Sequence, residues 1–303
     1  MVTSDRRLAS RPASPLVASL LVASLLVTVL AGCGGSGNDE SGSVTAPPTT
    51  TSPAPIAPLR EFTSLAELSA ATSAQQKLDR TARITVTGGQ TNQAGQPQST
   101  INGDGSLRYD DAGPVLQLTE KLESGGGAPV QLGVVVLPDV AFVRPPPNAG
   151  LTLPPGKTWV RIAPASTDPV SKQFGQLVTA IRDNADPSKT FSQFGDAVTI
   201  VETAQEQLEG SPAVRYRLKV DLVKAAANQT DPAVKQNLQQ SVQSGLTSLE
   251  YALWLDAQNR LVRVLVDQPL PRNQGAFTLD AHYRDWGQPV EIEQPPADQV
   301  FSR

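Results

Sequence analysis

Cys33 and His282 are the only cysteine and the only histidine in 303 residues, so chemistry that needs a thiol or an imidazole has one place each to occur. Cys33 closes the tetrapeptide Leu30-Ala31-Gly32-Cys33 at the end of an apolar run over residues 16–30, and Arg6, Arg7 and Arg11 precede that run. A basic start, a short apolar stretch and small residues ahead of the cut are the parts of a secretory signal. The run is too short and too rich in alanine and serine for a comfortable membrane span. With cysteine at the first mature position, the thiol chemistry is acylation: the sulfur takes diacylglycerol, the chain is cut before Cys33, and lipid holds the product on the outer face of the cytoplasmic membrane. Two acyl chains, at roughly 0.8 kcal/mol per buried methylene, anchor far better than one. The Arg6-Arg7 pair lacks a full twin-arginine context, which points to the general secretion route.

His282 offers much less. A metal site built on one histidine needs carboxylates for most of its ligands, and no His-Glu-x-x-His pattern exists. Alternation over residues 277–286 puts Phe277, Leu279, Ala281 and Tyr283 on one side and Thr278, Asp280, His282 and Arg284 on the other, so the imidazole belongs to the wet face of a strand. There is no Gly-x-Ser-x-Gly elbow for a serine nucleophile. The glycines at 125–127 lack the Lys-Ser/Thr of a phosphate loop and turn the chain between strands. Acidic pairs such as Asp110-Asp111, or Glu291 with Glu293, are ordinary on an acidic surface and give no support to a glycosidase. The sequence therefore assigns no catalytic residue, no metal ligand and no cofactor, and the chain reads as a non-enzyme.

Removal of residues 1–32 takes away Arg6, Arg7, Arg11 and Asp5, so 25 basic and 29 acidic residues become 22 and 28, a net charge of −6. That balance disfavours nucleic acid. With no second cysteine there is no internal disulfide, and a core must hold the fold. Residues 33–59 then read as the acylated cysteine and a tether, since GGSGNDESGSVTAPPTTTSPAPIAP at 34–58 has almost nothing to bury. As part coil and part polyproline II, it lets a folded body stand on the order of 30 to 60 Å from the bilayer.

Residues 60–303 read as one domain. A helix is expected over 64–80, with Ser64 as N-cap and Leu65, Leu68, Thr72, Gln75 and Leu78 on its stripe. A second, over 168–181, opens on Asp168-Pro169 and carries Phe174, Leu177, Val178 and Ile181 at i, i+3, i+4 and i+7. A third, from Asp231-Pro232 to about 246, carries Val234, Leu238, Val242 and Leu246. Strands fill the rest: 83–88, a glycine-bearing segment over 99–109 expected to bend or bulge, 115–123, 130–137, 140–144, 159–162, 198–205, 214–223, 249–256, 260–267 and 276–286. Within 115–123, Leu116, Leu118 and Leu122 share a face. The cleanest alternation sets Val214, Tyr216, Leu218, Val220 and Leu222 against Arg215, Arg217, Lys219 and Asp221. Short turns between strands signal antiparallel meanders, and helices grouped between them make the class α+β: a strongly curved antiparallel sheet of about ten or eleven strands, a half-barrel, with about three helices on its concave side.

This order of elements, with the phrases Lys157-Thr158-Trp159-Val160-Arg161-Ile162, Val214 through Asp221, and Trp254-Leu255-Asp256-Ala257-Gln258-Asn259-Arg260-Leu261-Val262-Arg263, resembles the actinobacterial lipoproteins of the LppX/LprG type, members of the LolA-like superfamily. The resemblance spans residues 60–295 and the lipid signal. It implies a bent sheet closed on its concave side by helices, with an apolar cavity that holds acyl chains in transit. That implication makes the chain a membrane-anchored carrier or chaperone of a lipid or lipoglycan, with a membrane transporter as a candidate partner. The family has no fixed contact motif, so ligand-binding candidates come from the apolar faces: Phe174, Leu177 and Ile181 on the second helix, and Val214, Tyr216, Leu218 and Val220 on the strand beneath. Trp159, Trp254 and Trp286 suit a pocket rim as readily as an ordinary core. Arg215, Arg217 and Lys219 form either the wet side of a sheet or a contact for anionic headgroups. The alternative to a carrier is an envelope lipoprotein whose domain binds a protein partner.

Overall fold

A computed structural model describes residues 59–125, 127–147, 149, 151–163, 174, 175, 178, 194–230 and 232–302. The signal, Cys33 and the tether lie outside them.

Helix α1, Leu65–Asp79, begins where the sequence predicts: the Ser64 side chain accepts the Glu67 N–H, and Arg80 ends the helix in the left-handed region at φ 65° while its N–H donates to the Gln76 carbonyl. Its buried stripe is not the expected one. Leu68, Ser69, Thr72 and Gln76 face inward, whereas Leu78 is 75% exposed. Leu68, Thr72 and Gln76 recur every four residues, and Leu78 lies about 200° around the helix from Gln76. The rotation is set by the ends of the helix, described below, and not by its own hydrophobicity.

Twelve strands form one sheet. They are β1 (Thr81–Thr91), β2 (Pro97–Asp110), β3 (Gly113–Ser124), β4 (Val130–Val136), β5 (Ala141–Arg144), β6 (Trp159–Ile162), β7 (Val198–Leu208), β8 (Ser211–Asp221), β9 (Ser248–Asp256), β10 (Leu261–Pro269), β11 (Ala276–Arg284) and β12 (Val300–Phe301). The order across the sheet is β12-β6-β5-β4-β3-β2-β1-β11-β10-β9-β8-β7, so β1–β6 and β7–β11 are two meanders joined where β1 pairs with β11. Every pairing is antiparallel except the two-residue β12, which runs parallel to β6 through Val300 opposite Trp159. The ends of the order, β12 and β7, do not pair with each other: this is a curved, unclosed α+β half-barrel, as expected, with one strand more than the expected upper count.

Between β8 and β9 the chain makes a helical excursion, α2 (Leu222–Asn228) and α3 (Pro232–Ser244). The first of these replaces the expected end of the β8 strand. The Asp221 carboxylate accepts the Lys224 N–H at 2.9 Å and caps a helix there, so Leu222 is buried as its first residue instead of continuing the alternation. On α3, Leu238 is buried and Val234 and Val242 pack against the core, as expected, and Leu246 packs there just beyond the end of the helix. The second expected helix lies mostly outside the described residues; Phe174, Gly175 and Val178 are helical, and both apolar side chains are buried in the core shared with the sheet.

The glycines of β2 do not break the strand. Residues 99–110 pair with β3 in one unbroken register, and the irregularity falls instead between Gln90 and Thr91. At Gly105 a Cβ would stand 1.9 Å from the Gln117 carbonyl oxygen and 3.1 Å from Leu118 Cα on β3. Only a residue without a side chain permits that approach of β2 to β3. Gly105→Ala is therefore expected to lower stability by about 1 to 3 kcal/mol in urea unfolding. An unchanged midpoint would mean that the fold does not depend on this close approach.

Candidate binding hollow

The inner face is assembled by register. Val214, Tyr216, Leu218 and Val220 on β8 stand opposite Leu255, Leu253, Tyr251 and Leu249 on β9. Ile84 and Val86 on β1 meet Tyr283 and Ala281 on β11. Leu116 and Leu118 on β3 meet Val136 and Val134 on β4. These residues join one core with Phe62, Leu68, Phe174, Val178, Leu222 and Leu238. The four β8 candidates and Phe174 are thus brought together as buried apolar side chains of the concave face, while Leu177 and Ile181 lie outside the described residues.

Tyr216 does more than line this face. Its side chain is 0% exposed, its hydroxyl accepts the Phe62 N–H at 3.0 Å and donates to the Arg60 carbonyl at 3.2 Å, and its ring centroid lies 6.3 Å from that of Phe62. Burial raises the phenol pKa, which keeps the hydroxyl a donor. The stretch 60–62 that leads into α1 is thereby hooked to the middle of β8. The far end of α1 is pinned by Arg260, which donates to both Asp79 oxygens at 2.9 and 2.8 Å across the end of the β9–β10 hairpin. Those two bonds hold the Asp79 carboxyl below the usual carboxylate range. Between its fastened ends, α1 buries Ser69, Thr72 and Gln76 alongside Leu68, which joins the core of the apolar sheet face.

One carboxyl sits inside this apolar surface. Glu120 lies between Gly103 on β2 and Leu132 on β4, with Leu118 and Leu122 two residues away along its own strand. It is 6% exposed, and its Oε1 has no hydrogen-bond partner. Burial alone pushes its pKa up to about 7. Period-two alternation places it with Leu116, Leu118 and Leu122, so the signal for this inward carboxyl is its position in the strand and not its residue type.

The outer face sorts its charges differently. Arg215 pairs with Glu202 at 2.7 Å and Glu206 at 3.1 Å, Arg217 with Glu202 at 2.6 Å and Glu250 at 3.1 Å, and Lys219 with Glu250 at 3.3 Å. This is the wet side of a sheet with its charges matched across strands, not a free basic patch. Trp254 lies there too, under the Arg263 guanidinium and donating to Glu206, and Trp159 covers Gly133 beneath Arg144. Trp286 stacks on Tyr283 and donates to the Leu261 carbonyl. His282 sits on the polar side of β11, as expected, 3.0 Å from Glu209 and 3.2 Å from Asp280, in an open groove of about 310 Å³ that also includes Leu208, Pro212 and Asp256.

The Glu120 pKa makes stability depend on pH. Between its ordinary value of 4.5 and about 7, the folded chain keeps a proton that the unfolded chain has released, so stability present at pH 4.5 is lost as pH rises toward 7. The loss is on the order of 3 kcal/mol. Glu120→Gln should match the wild type near pH 4.5 and exceed it by that margin above pH 7 in denaturant titrations. Parallel curves for the two proteins would place the carboxyl in contact with water.

No protein-family model matches the sequence, and no curated protein matches it. Among solved structures the chain is similar to LprF from Mycobacterium bovis, with 16% identity, 76% of this chain and 95% of that chain covered and a TM-score of 0.40. It is also similar to MucB, solved in complex with MucA(peri), with 14% identity, 78% of this chain covered and a TM-score of 0.33; this chain spans 62% of that one. The half-barrel with helices against its apolar face is the fold that the resemblance to the LppX/LprG lipoproteins implies.

Proposed function

We propose that this chain is a lipid-anchored, extracytoplasmic protein that takes up an amphipathic lipid or lipoglycan in the hollow of its half-barrel and carries or shelters it in the cell envelope. The observation that carries the reading is the mismatch across α1. The sheet beneath is apolar, whereas the helix above it fully buries Ser69, Thr72 and Gln76 with one large apolar side chain, Leu68, and packs Leu65 and Ala71 only partly buried against the core. Such a cover gives the sheet poor apolar contact. An acyl chain gives better contact, at about 0.8 kcal/mol per methylene removed from water, so exchange of the one for the other is downhill on the inner face.

The proposed ligand contacts are Val214, Leu218 and Val220 on β8, with Phe174, Leu177 and Ile181 in the sequence that precedes β7. Tyr216 joins them if the stretch 60–62 lets go of its hydroxyl. Cys33, acylated, and the tether after it keep the domain within reach of the outer face of the cytoplasmic membrane, where a transporter can exchange cargo with it. Binding and release need no bond made or broken.

Native mass spectrometry of the full lipoprotein, purified from membranes in mild detergent, tests both halves. The expected spectrum shows a covalent diacylglyceryl mass on a chain beginning at Cys33, and a second, non-covalent lipid that leaves on collisional activation. A chain without the non-covalent mass that also extracts nothing from labelled vesicles would sink the carrier reading and leave binding of a protein partner in its place.

A further inference from the structure

The geometry points to Glu120 as the polar contact of the hollow, an acceptor for a hydroxyl or ammonium group on the bound lipid. This rests on the carrier reading and adds the chemical class of the cargo.

The protein pairs its sheltered carboxylates. Asp79 is held by Arg260, Asp110 by Arg108, Asp280 by Arg263, and Glu206 by Arg215 and Trp254. Glu120 breaks that pattern: among the described residues it is the one charged side chain in the buried class, and it is the one carboxylate with a buried oxygen left without a donor. A buried polar group without a partner costs free energy that a leucine at the same site would not. The surroundings are built around it. Gly103 faces it across the pair with β2, and a Cβ there would press to 3.0 Å of Glu120 Cγ, so the strand opposite leaves room for the side chain. Leu132, Leu118 and Leu122 supply no donor.

Above about pH 7, where the carboxyl is ionised and only accepts, a bound lipid can bring the missing donor. Among the described residues the buried side chains that carry polar groups are Ser69, Thr72, Gln76, Glu120, Tyr216, Trp254 and Tyr283, with no cation among them, so nothing in this set neutralises a phosphate or a carboxylate headgroup. A head with a free hydroxyl or amine close to its acyl chains satisfies Glu120 and keeps its chains on the apolar strands. A lipid of the same bulk with no donor does not. The acceptor works through hydrogen-bond geometry, so its removal should change preference among lipids more than it changes total apolar uptake.

The test, at about pH 8.5 so that the carboxyl is ionised, uses phosphatidylcholine vesicles doped with fluorescent dioleoylglycerol, oleylamine or trioleoylglycerol, incubated with wild type, Glu120→Leu and Glu120→Gln. Wild type is expected to extract one donor-bearing lipid about tenfold better than trioleoylglycerol, which has no donor. The favoured one, dioleoylglycerol or oleylamine, identifies the donor as hydroxyl or ammonium. Glu120→Leu should melt no lower than wild type, still take up trioleoylglycerol, and lose the preference. Glu120→Gln keeps an acceptor oxygen and should retain any hydroxyl preference while losing any amine preference, which keeps the assignment testable if the leucine variant misfolds. Equal extraction of all three lipids by wild type, or an unchanged preference in a folded variant lacking the carboxyl, overturns the assignment and leaves the carrier reading standing. No extraction of any lipid by wild type overturns both.

Discussion

The inner face of this protein exists because β1 pairs with β11. Nine residue pairs, from Arg83 opposite Arg284 to Thr91 opposite Ala276, join two meanders that would otherwise each present a modest apolar surface. Once joined, they make one apolar face twelve strands wide and not closed upon itself, and that face has to be covered. The neighbouring elements are placed by that need. Helix α1 runs directly into β1, and its C-terminal Asp79 is locked to Arg260 at the β9–β10 hairpin, so the helix is carried to the junction of the two meanders. The link between β6 and β7 connects strands near opposite ends of the sheet, and Phe174, Val178 and Ala197 on it are buried in the same core.

The two faces treat charge in opposite ways. Outside, Arg215, Arg217, Lys219 and Arg263 meet carboxylates from neighbouring strands, pairs that are solvated and individually worth little. Inside, the described strands carry one buried carboxyl and α1 carries hydroxyls and an amide, within a surface otherwise made of aliphatic and aromatic side chains. A core selected only for stability would fill such positions with leucine or valine. Polar groups held at a cost on a concave face that is covered by a helix with poor apolar contact fit a chamber that trades its contents.

Most of the architecture was legible because alternation is a strong local signal. The β8, β9, β11 and β6 segments each follow a period of two that can be read directly, and the Ser64 and Asp231-Pro232 signals mark helix starts. The misreadings have separate physical causes. β12 is two residues long and has no periodicity to find. α2 interrupts an alternating run because Asp221 caps a helix, and a cap is a side-chain event that an apolar pattern does not register. The stripe of α1 was misplaced at Leu78 because its rotation is imposed from outside, by Tyr216 at one end and Arg260 at the other, through contacts 154 and 181 residues distant in sequence. At Glu120 residue type argues for water and position argues for the core, and position prevails. The outer-face pairing of Arg215, Arg217 and Lys219 depends on which carboxylates the β7 and β9 registers bring alongside, which no single strand reveals.

The account depends on α1 being a cover that comes off while the sheet stays intact. Amide hydrogen exchange on the folded protein measures this directly, because it reports the opening free energy of each segment separately. The account predicts that residues 65–79 exchange through local openings far less costly than global unfolding, while β1, β8 and β11 exchange only with the whole domain, and that α1 protection changes when lipid vesicles are added. Protection of α1 equal to that of β8, with or without vesicles, would show a sealed core and contradict it.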